Sequence, residues 1–258
     1  MHIVNLSLIV MTHTNKQITA SVMGFERLRE NIDGPGLRTL VLFAGCPLHC
    51  EYCLNKMLLK SGIQKDFTPE ELYDILMIDS SYFKVSDGGI TFGGGEPALQ
   101  SRFIKAFYEL CKDFDEAMDI RLETSLNAPI EHIQLLAPFI SKFYVDIKDM
   151  NPEIYCDYTH EYNHFVYTNL EWLSKNGYTS KVLVRVPLIP DFNTEENREE
   201  SIKILHEMGF ETEKFEYIKT HEPFQEIMTM GIPALPDDLM GDLKPDDNDM
   251  FEDDERKG

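Results

Sequence analysis

Six short β-rich runs, spaced by stretches of helical periodicity, predict an α/β fold with a parallel sheet for this chain of 258 residues. Parallel neighbours need right-handed crossovers, and the spacing leaves room for a helix between successive runs. Hydrophobic residues at 43% and charged residues at 27% are ordinary for one globular domain of this length.

The elements follow in order. The apolar run at 6–11 reads as a leading strand or hairpin, and the run at 39–43 leads directly into a cysteine-rich loop. Thr68-Pro69-Glu70-Glu71 is a capping box with proline at the first helical position, opening a helix toward residue 78. Residues 90–92 make a second strand, and 102–114 has helical spacing. Strands at 120–124, 143–148, 182–186 and 214–218 complete the six, with helices near 130–138, 166–176 and 195–208 between them. Gly177 and Gly209 stand where the last two helices need C-terminal stops.

The loop Gly45-Cys46-Pro47-Leu48-His49-Cys50-Glu51-Tyr52-Cys53 spaces three cysteines as C-x3-C-x2-C. Iron–sulfur clusters are normally held by four cysteine thiolates, so three leave one iron open to an outside ligand. Zinc would need a fourth ligand, typically from paired C-x2-C or Cys/His couples. Cys111 and Cys156 are solitary and distant, and His49 lies too near Cys50 to complete a tetrahedron. A disulfide needs an oxidising compartment. The start Met1-His2-Ile3-Val4-Asn5 lacks a basic n-region, and no apolar run approaches the roughly 20 residues that cross a bilayer. The spacing therefore favours an iron–sulfur cluster, in a cytoplasmic setting where thiols stay reduced.

With Tyr52 at the aromatic position of C-x3-C-x-aromatic-C, the chain resembles the radical S-adenosylmethionine (SAM) superfamily. Asp33-Gly34-Pro35-Gly36-Leu37-Arg38 before the cysteines, and Gly88 to Pro97 after them, point within it to the glycyl-radical-enzyme activases, typified by pyruvate formate-lyase activating enzyme. Asp146-Ile147-Lys148 and Thr220-His221-Glu222 continue the likeness, which runs from about Phe25 to Glu222.

The resemblance implies a partial (β/α)6 TIM-like barrel, whose chemistry sits at the C-terminal ends of the strands. The motifs fall there. The cysteine loop follows the first strand, the Gly93-Gly94-Gly95-Glu96 turn the second, Glu123-Thr124 the third and Asp146-Lys148 the fourth. Arg185 ends the fifth, and His221 lies just beyond the sixth. It further implies a [4Fe-4S] cluster on Cys46, Cys50 and Cys53, with SAM chelating the open iron. Tyr52 then packs near the adenine, and Gly94, Gly95 and Glu96 contact the methionyl amino group. Lys148, two positions from Asp146 and so on the same strand face, holds the carboxylate. Arg185 is a carboxylate or ribose contact, and His221 meets the adenosine. Glu123 stands where the family has an aspartate that helps bind a monovalent cation, and Ser125-Leu126 replaces Asn-Gly, so the cation is left open.

The expected activity is reductive cleavage of SAM followed by removal of a glycine α-hydrogen from a partner glycyl radical enzyme. A flavodoxin or ferredoxin supplies the electron, and the chain acts as a monomer. The absence of cysteine between Cys53 and Gly93 rules out the ferredoxin-like insert of many activases. The alternatives are a radical SAM enzyme acting directly on a small molecule or peptide (deazaguanine-synthase-like or epimerase-like), and an iron–sulfur electron-transfer or sensor protein.

The net charge is −21, and residues 237–258 hold ten acidic side chains against three basic ones. That segment reads as a solvated, disordered tail, and so acidic a chain argues against nonspecific nucleic-acid binding; the lack of a long apolar run argues against a membrane partner. The expected organisation is a leading extension at 1–24, a core domain at 25–225 and a C-terminal extension at 226–258.

Overall fold

The computed structural model describes residues 18–113 and 118–217. His221, the acidic C-terminal segment and the apolar run at 6–11 lie outside the described residues.

The strands are β1 (Ala20–Glu30), β2 (Leu37–Phe43), β3 (Lys65–Phe67), β4 (Gly89–Gly94), β5 (Asp119–Thr124), β6 (Lys142–Asp146), β7 (Val182–Leu188) and β8 (Glu211–Glu216). The helices are α1 (Lys56–Ser61), α2 (Pro69–Leu76), α3 (Ser80–Ser86), α4 (Ser101–Asp113), α5 (Ile130–Leu136), α6 (Pro152–Thr159), α7 (His164–Lys175) and α8 (Glu195–Glu207). One eight-stranded sheet has the order β3-β1-β2-β4-β5-β6-β7-β8. The run from β2 to β8 is parallel, while β1 pairs antiparallel with both β2 and β3. The six expected parallel strands are all present, and the sheet is open, with β3 and β8 as its edges.

Local chemistry explains the elements that were foreseen. Thr68 accepts from the Glu71 N–H and Glu71 reaches back to the Thr68 N–H, closing the capping box of α2. Gly177 and Gly209 adopt left-handed φ values of 77° and 88° two residues beyond α7 and α8. Among the described residues no helix is long and apolar enough to cross a membrane.

Two expectations need correction. The fourth parallel strand ends at Asp146, not at residue 148. Asp149 is buried and accepts from the Asn151 N–H at 2.8 Å, Asn193 at 3.0 Å and Ser201 at 3.2 Å, which pulls the chain out of the sheet and into α6. Lys148 therefore sits in the loop after the strand. Arg185 lies in the middle of β7, because the buried Val182, Val184 and Val186 continue through Pro187 to Leu188 in register with β8.

The core beneath the future site is aromatic. Phe43, the last residue of β2, stacks on Phe92 at 5.3 Å and meets Phe103 edge-on at 5.8 Å, while Phe92 meets Phe107 at 5.7 Å. All four rings are buried, which fixes the ends of β2 and β4 where two motif loops leave the sheet. Arg38 is wholly buried and ties three strands together. It donates to Thr91 Oγ1, to the Ile90 carbonyl, and to both the carboxylate and the carbonyl of Asp119.

Candidate functional site

The cysteine loop leaves β2 and is clamped on two sides. On one side Gly95 N–H donates to the Phe43 carbonyl at 2.8 Å and Glu96 N–H to the Gly45 carbonyl at 2.9 Å. A side chain at Gly95 would stand 2.0 Å from the Gly45 oxygen, so only glycine permits this approach. On the other side the end of α6 accepts from the loop, with His49 N–H on the Thr159 carbonyl at 2.9 Å and Glu51 N–H on the Tyr158 carbonyl at 3.2 Å.

Held in this way, Cys46, Cys50 and Cys53 all line one cleft of about 590 Å³, together with His49, Glu51 and His160. None of the three is in a disulfide. Burial pushes the Cys46 thiol up to about 12, and it raises Cys50 too, although the Lys148 ammonium works against that rise. Among the described residues no group of three or more His, Cys, Asp or Glu side chains is arranged to hold a metal ion. An iron–sulfur cluster is wider than a single ion and spreads its thiolates further apart, so three thiols on the wall of one roomy cleft fit a cluster. The fit is in donor type as well, since clusters are held by cysteine.

Lys148 is nearly buried, and its ammonium donates to the Tyr217 hydroxyl at 2.8 Å. Burial opposes its charge, but Tyr217, Cys50 and Asp146 outweigh that and hold the group well above the usual lysine range. Around it stands an aromatic wall that the sequence did not reveal. Tyr158 lies 5.0 Å from Phe192, 6.0 Å from Tyr217 and 6.1 Å from Tyr52, centroid to centroid. Tyr52 itself donates to Asp191 at 3.1 Å. The one sequence signal available was Asn151-Pro152-Glu153, a helix start that announces α6 and so carries Tyr158 to the loop.

The glycine turn is placed beside the cysteines, but its groups are engaged internally. The Gly94 carbonyl accepts from Asn55 at 2.9 Å, and the Gly95 N–H is already spent on Phe43. The Glu96 carboxylate is buried and accepts from Thr124 Oγ1 at 2.5 Å, Ser125 Oγ at 2.5 Å, Ser125 N–H at 2.9 Å and Ala98 N–H at 3.0 Å.

Glu123, Asp146 and Arg185 come together across β5, β6 and β7. The guanidinium lies 3.3 Å from Glu123 and 3.4 Å from Asp146, and sits 4.8 Å over the Tyr144 ring. Burial raises the Glu123 carboxyl despite Arg185, whereas the two carboxylates overcome burial to raise Arg185. Arg185 occupies the space between the two acids, and nothing in this geometry supports a monovalent cation there.

Leu126 departs most sharply from expectation. It is fully buried yet has a φ of 57°, the left-handed region that favours glycine. Leu126→Gly loses the buried side chain but relieves this strain, whereas Leu126→Ala loses the packing and keeps the strain. Urea unfolding is expected to show Gly less destabilising than Ala by about 1 kcal/mol, the reverse of their ordinary order.

Comparison with known proteins follows the same residues. A family profile described as the Radical SAM superfamily matches residues 40–205. The (2S)-3-sulfopropanediol dehydratase activating enzyme of Klebsiella oxytoca is 28% identical over 240 residues, covering 69% of this chain and 74% of that one. The pyruvate formate-lyase 1-activating enzyme of Escherichia coli (strain K12) is 27% identical over 194 residues, 74% of this chain and 77% of its own. A shorter stretch of 82 residues is 45% identical to the pyruvate formate-lyase-activating enzyme of Clostridium pasteurianum, 32% of this chain and 34% of that one. Among solved structures, Streptococcus suis SuiB aligns with a TM-score of 0.54 at 12% identity over 69% of this chain and 39% of its own, a likeness of fold alone.

Proposed function

Because this chain belongs to the radical SAM superfamily, we propose that it is a glycyl-radical-enzyme activase, working as a monomer on an exposed glycine of a partner enzyme. The observation that carries the cofactor reading is the cleft itself, where three cysteines of one nine-residue loop share a wall. The relatives named as activating enzymes, matched over about three quarters of their length, support the activase type. The core that carries this chemistry is taken as residues 25–225.

When bound, the [4Fe-4S] cluster and SAM supply one-electron cleavage of the sulfonium and, through it, the capacity to take a hydrogen atom. Cys46, Cys50 and Cys53 hold the cluster. Lys148 presents a cation beside Cys50, suited to the SAM carboxylate. Tyr52 offers an aromatic face near the adenine, with Tyr158 and Phe192 behind it to keep water out. Glu96 acts through Ser125 and Thr124 by fixing the β5 turn, and Gly94 and Gly95 let that turn close on the cysteine loop. Arg185, paired with Glu123 and Asp146, is kept as a carboxylate or ribose contact. His221 is assigned to the adenosine on the resemblance alone. The outside electron is assigned to a flavodoxin or ferredoxin.

Anaerobic reconstitution with iron and sulfide, then reduction by dithionite in the presence of SAM, tests the chemistry. Equal amounts of methionine and 5′-deoxyadenosine are expected. A fully loaded cluster that leaves SAM intact contradicts the reading and favours an electron-transfer or sensor protein.

A further inference from the structure

The segment 54–65 contains Lys56, Lys60 and Lys65 and no acidic residue, in a chain whose net charge is −21. It begins one residue after Cys53, and the Lys56 N–H caps back onto the Cys53 carbonyl at 3.2 Å. Helix α1 within it has no buried residue at all. Met57 is 65% exposed, Leu54 59% and Ile63 43%, and Lys60 and Lys65 of the same segment are exposed as well. A short helix that buries nothing contributes little to the fold, and exposed apolar side chains among cations mark a contact surface. The same helix supplies one wall of the cysteine cleft.

We propose that the collar formed by Leu54, Met57, Lys60, Ile63 and Lys65 is the docking surface for an acidic carrier protein that delivers single electrons to the cysteine loop. This rests on the proposed function, which requires an outside electron. One electron passes from a reduced flavin or iron–sulfur carrier to the metal group in the cleft. The carrier is oxidised by one electron, and no bond or proton changes hands. The predominantly acidic remainder of the chain repels such a carrier, so the collar gives it both a site and an orientation. Weak redox encounters use small interfaces, under about 1,200 Å², which a handful of exposed side chains can supply.

The test is a titration of the cluster-loaded full chain with an oxidised acidic flavodoxin, followed by calorimetry. Binding is expected to weaken several-fold as added salt screens the charges. The double variant Met57→Glu/Lys65→Glu is expected to raise Kd about tenfold or more, because it sets like charges against the carrier. The conservative Met57→Leu/Lys65→Arg variant is expected to bind as the parent does. Equal affinity in the charge-reversed and parent proteins overturns the proposal. So do cross-links from Lys60 or Lys65 to the chain's own residues 237–258 that exclude the flavodoxin, since the occupant is then internal. Dithionite-driven SAM cleavage, run in parallel, judges the proposed function separately from the collar.

Discussion

Replacing Cys46, Cys50 or Cys53 singly by serine removes the cluster and all SAM cleavage, while Cys111→Ala and Cys156→Ser keep both. Three thiolates are already one fewer than the usual four, so no spare ligand exists to compensate for a loss. The three line one cleft, whereas Cys111 is buried in α4 and Cys156 belongs to α6. Cys111→Ala leaves a small core void and a modest loss of stability, without touching the cleft. Iron content, the visible absorption band and 5′-deoxyadenosine yield are the readouts, with circular dichroism to show that each variant is folded. Loss of iron in a folded Cys111→Ala protein would mean that the ligands are misassigned.

Lys148→Ala weakens SAM binding by about 10- to 150-fold, the equivalent of about 1.5–3 kcal/mol for a charge-assisted hydrogen bond. The ammonium is nearly buried and held by Tyr217, so the site has already met the cost of ordering it. Lys148→Met, which keeps most of the volume, separates charge from packing and is expected to show the same loss. Cluster content stays at the parental level in both, because Lys148 is not a ligand. Equilibrium binding of SAM to the loaded variants is the measurement, and unchanged affinity removes Lys148 from the ligand pocket.

Most of the parallel strands were legible because they are short apolar runs set off by a capping box and glycine stops; β8 begins at Glu211 rather than at 214, because its residues are nearly all exposed and carry no apolar signal. The antiparallel edge was not. The sequence of β1 alternates poorly, with two register shifts against β2 and Leu28 at a φ of 55°, so no period-two signal survives. Strand β3 has only three residues, two of them exposed. Helix α3 carries Val85 90% exposed and lacks a clean apolar stripe. In the site, the cysteines could be read because they are contiguous in the chain. The partners of Lys148 could not, since Tyr217 lies 69 positions away and meets it only through the packing of β8 against β7. The same holds for the ion triad. Three residues on three strands carry no sign in the sequence that they pair with one another, and it is the β5, β6 and β7 registers that set Arg185 between Glu123 and Asp146.

The activase reading is tested most directly by electron paramagnetic resonance. The reduced, cluster-loaded protein is mixed anaerobically with SAM and a glycyl radical enzyme encoded beside it, then frozen. A doublet near g = 2 on the partner, collapsing to a single line when the partner's glycine carries deuterium at its α-carbon, is the outcome predicted. Vigorous SAM cleavage on a small molecule or peptide, with no such doublet on any neighbouring candidate, would contradict it.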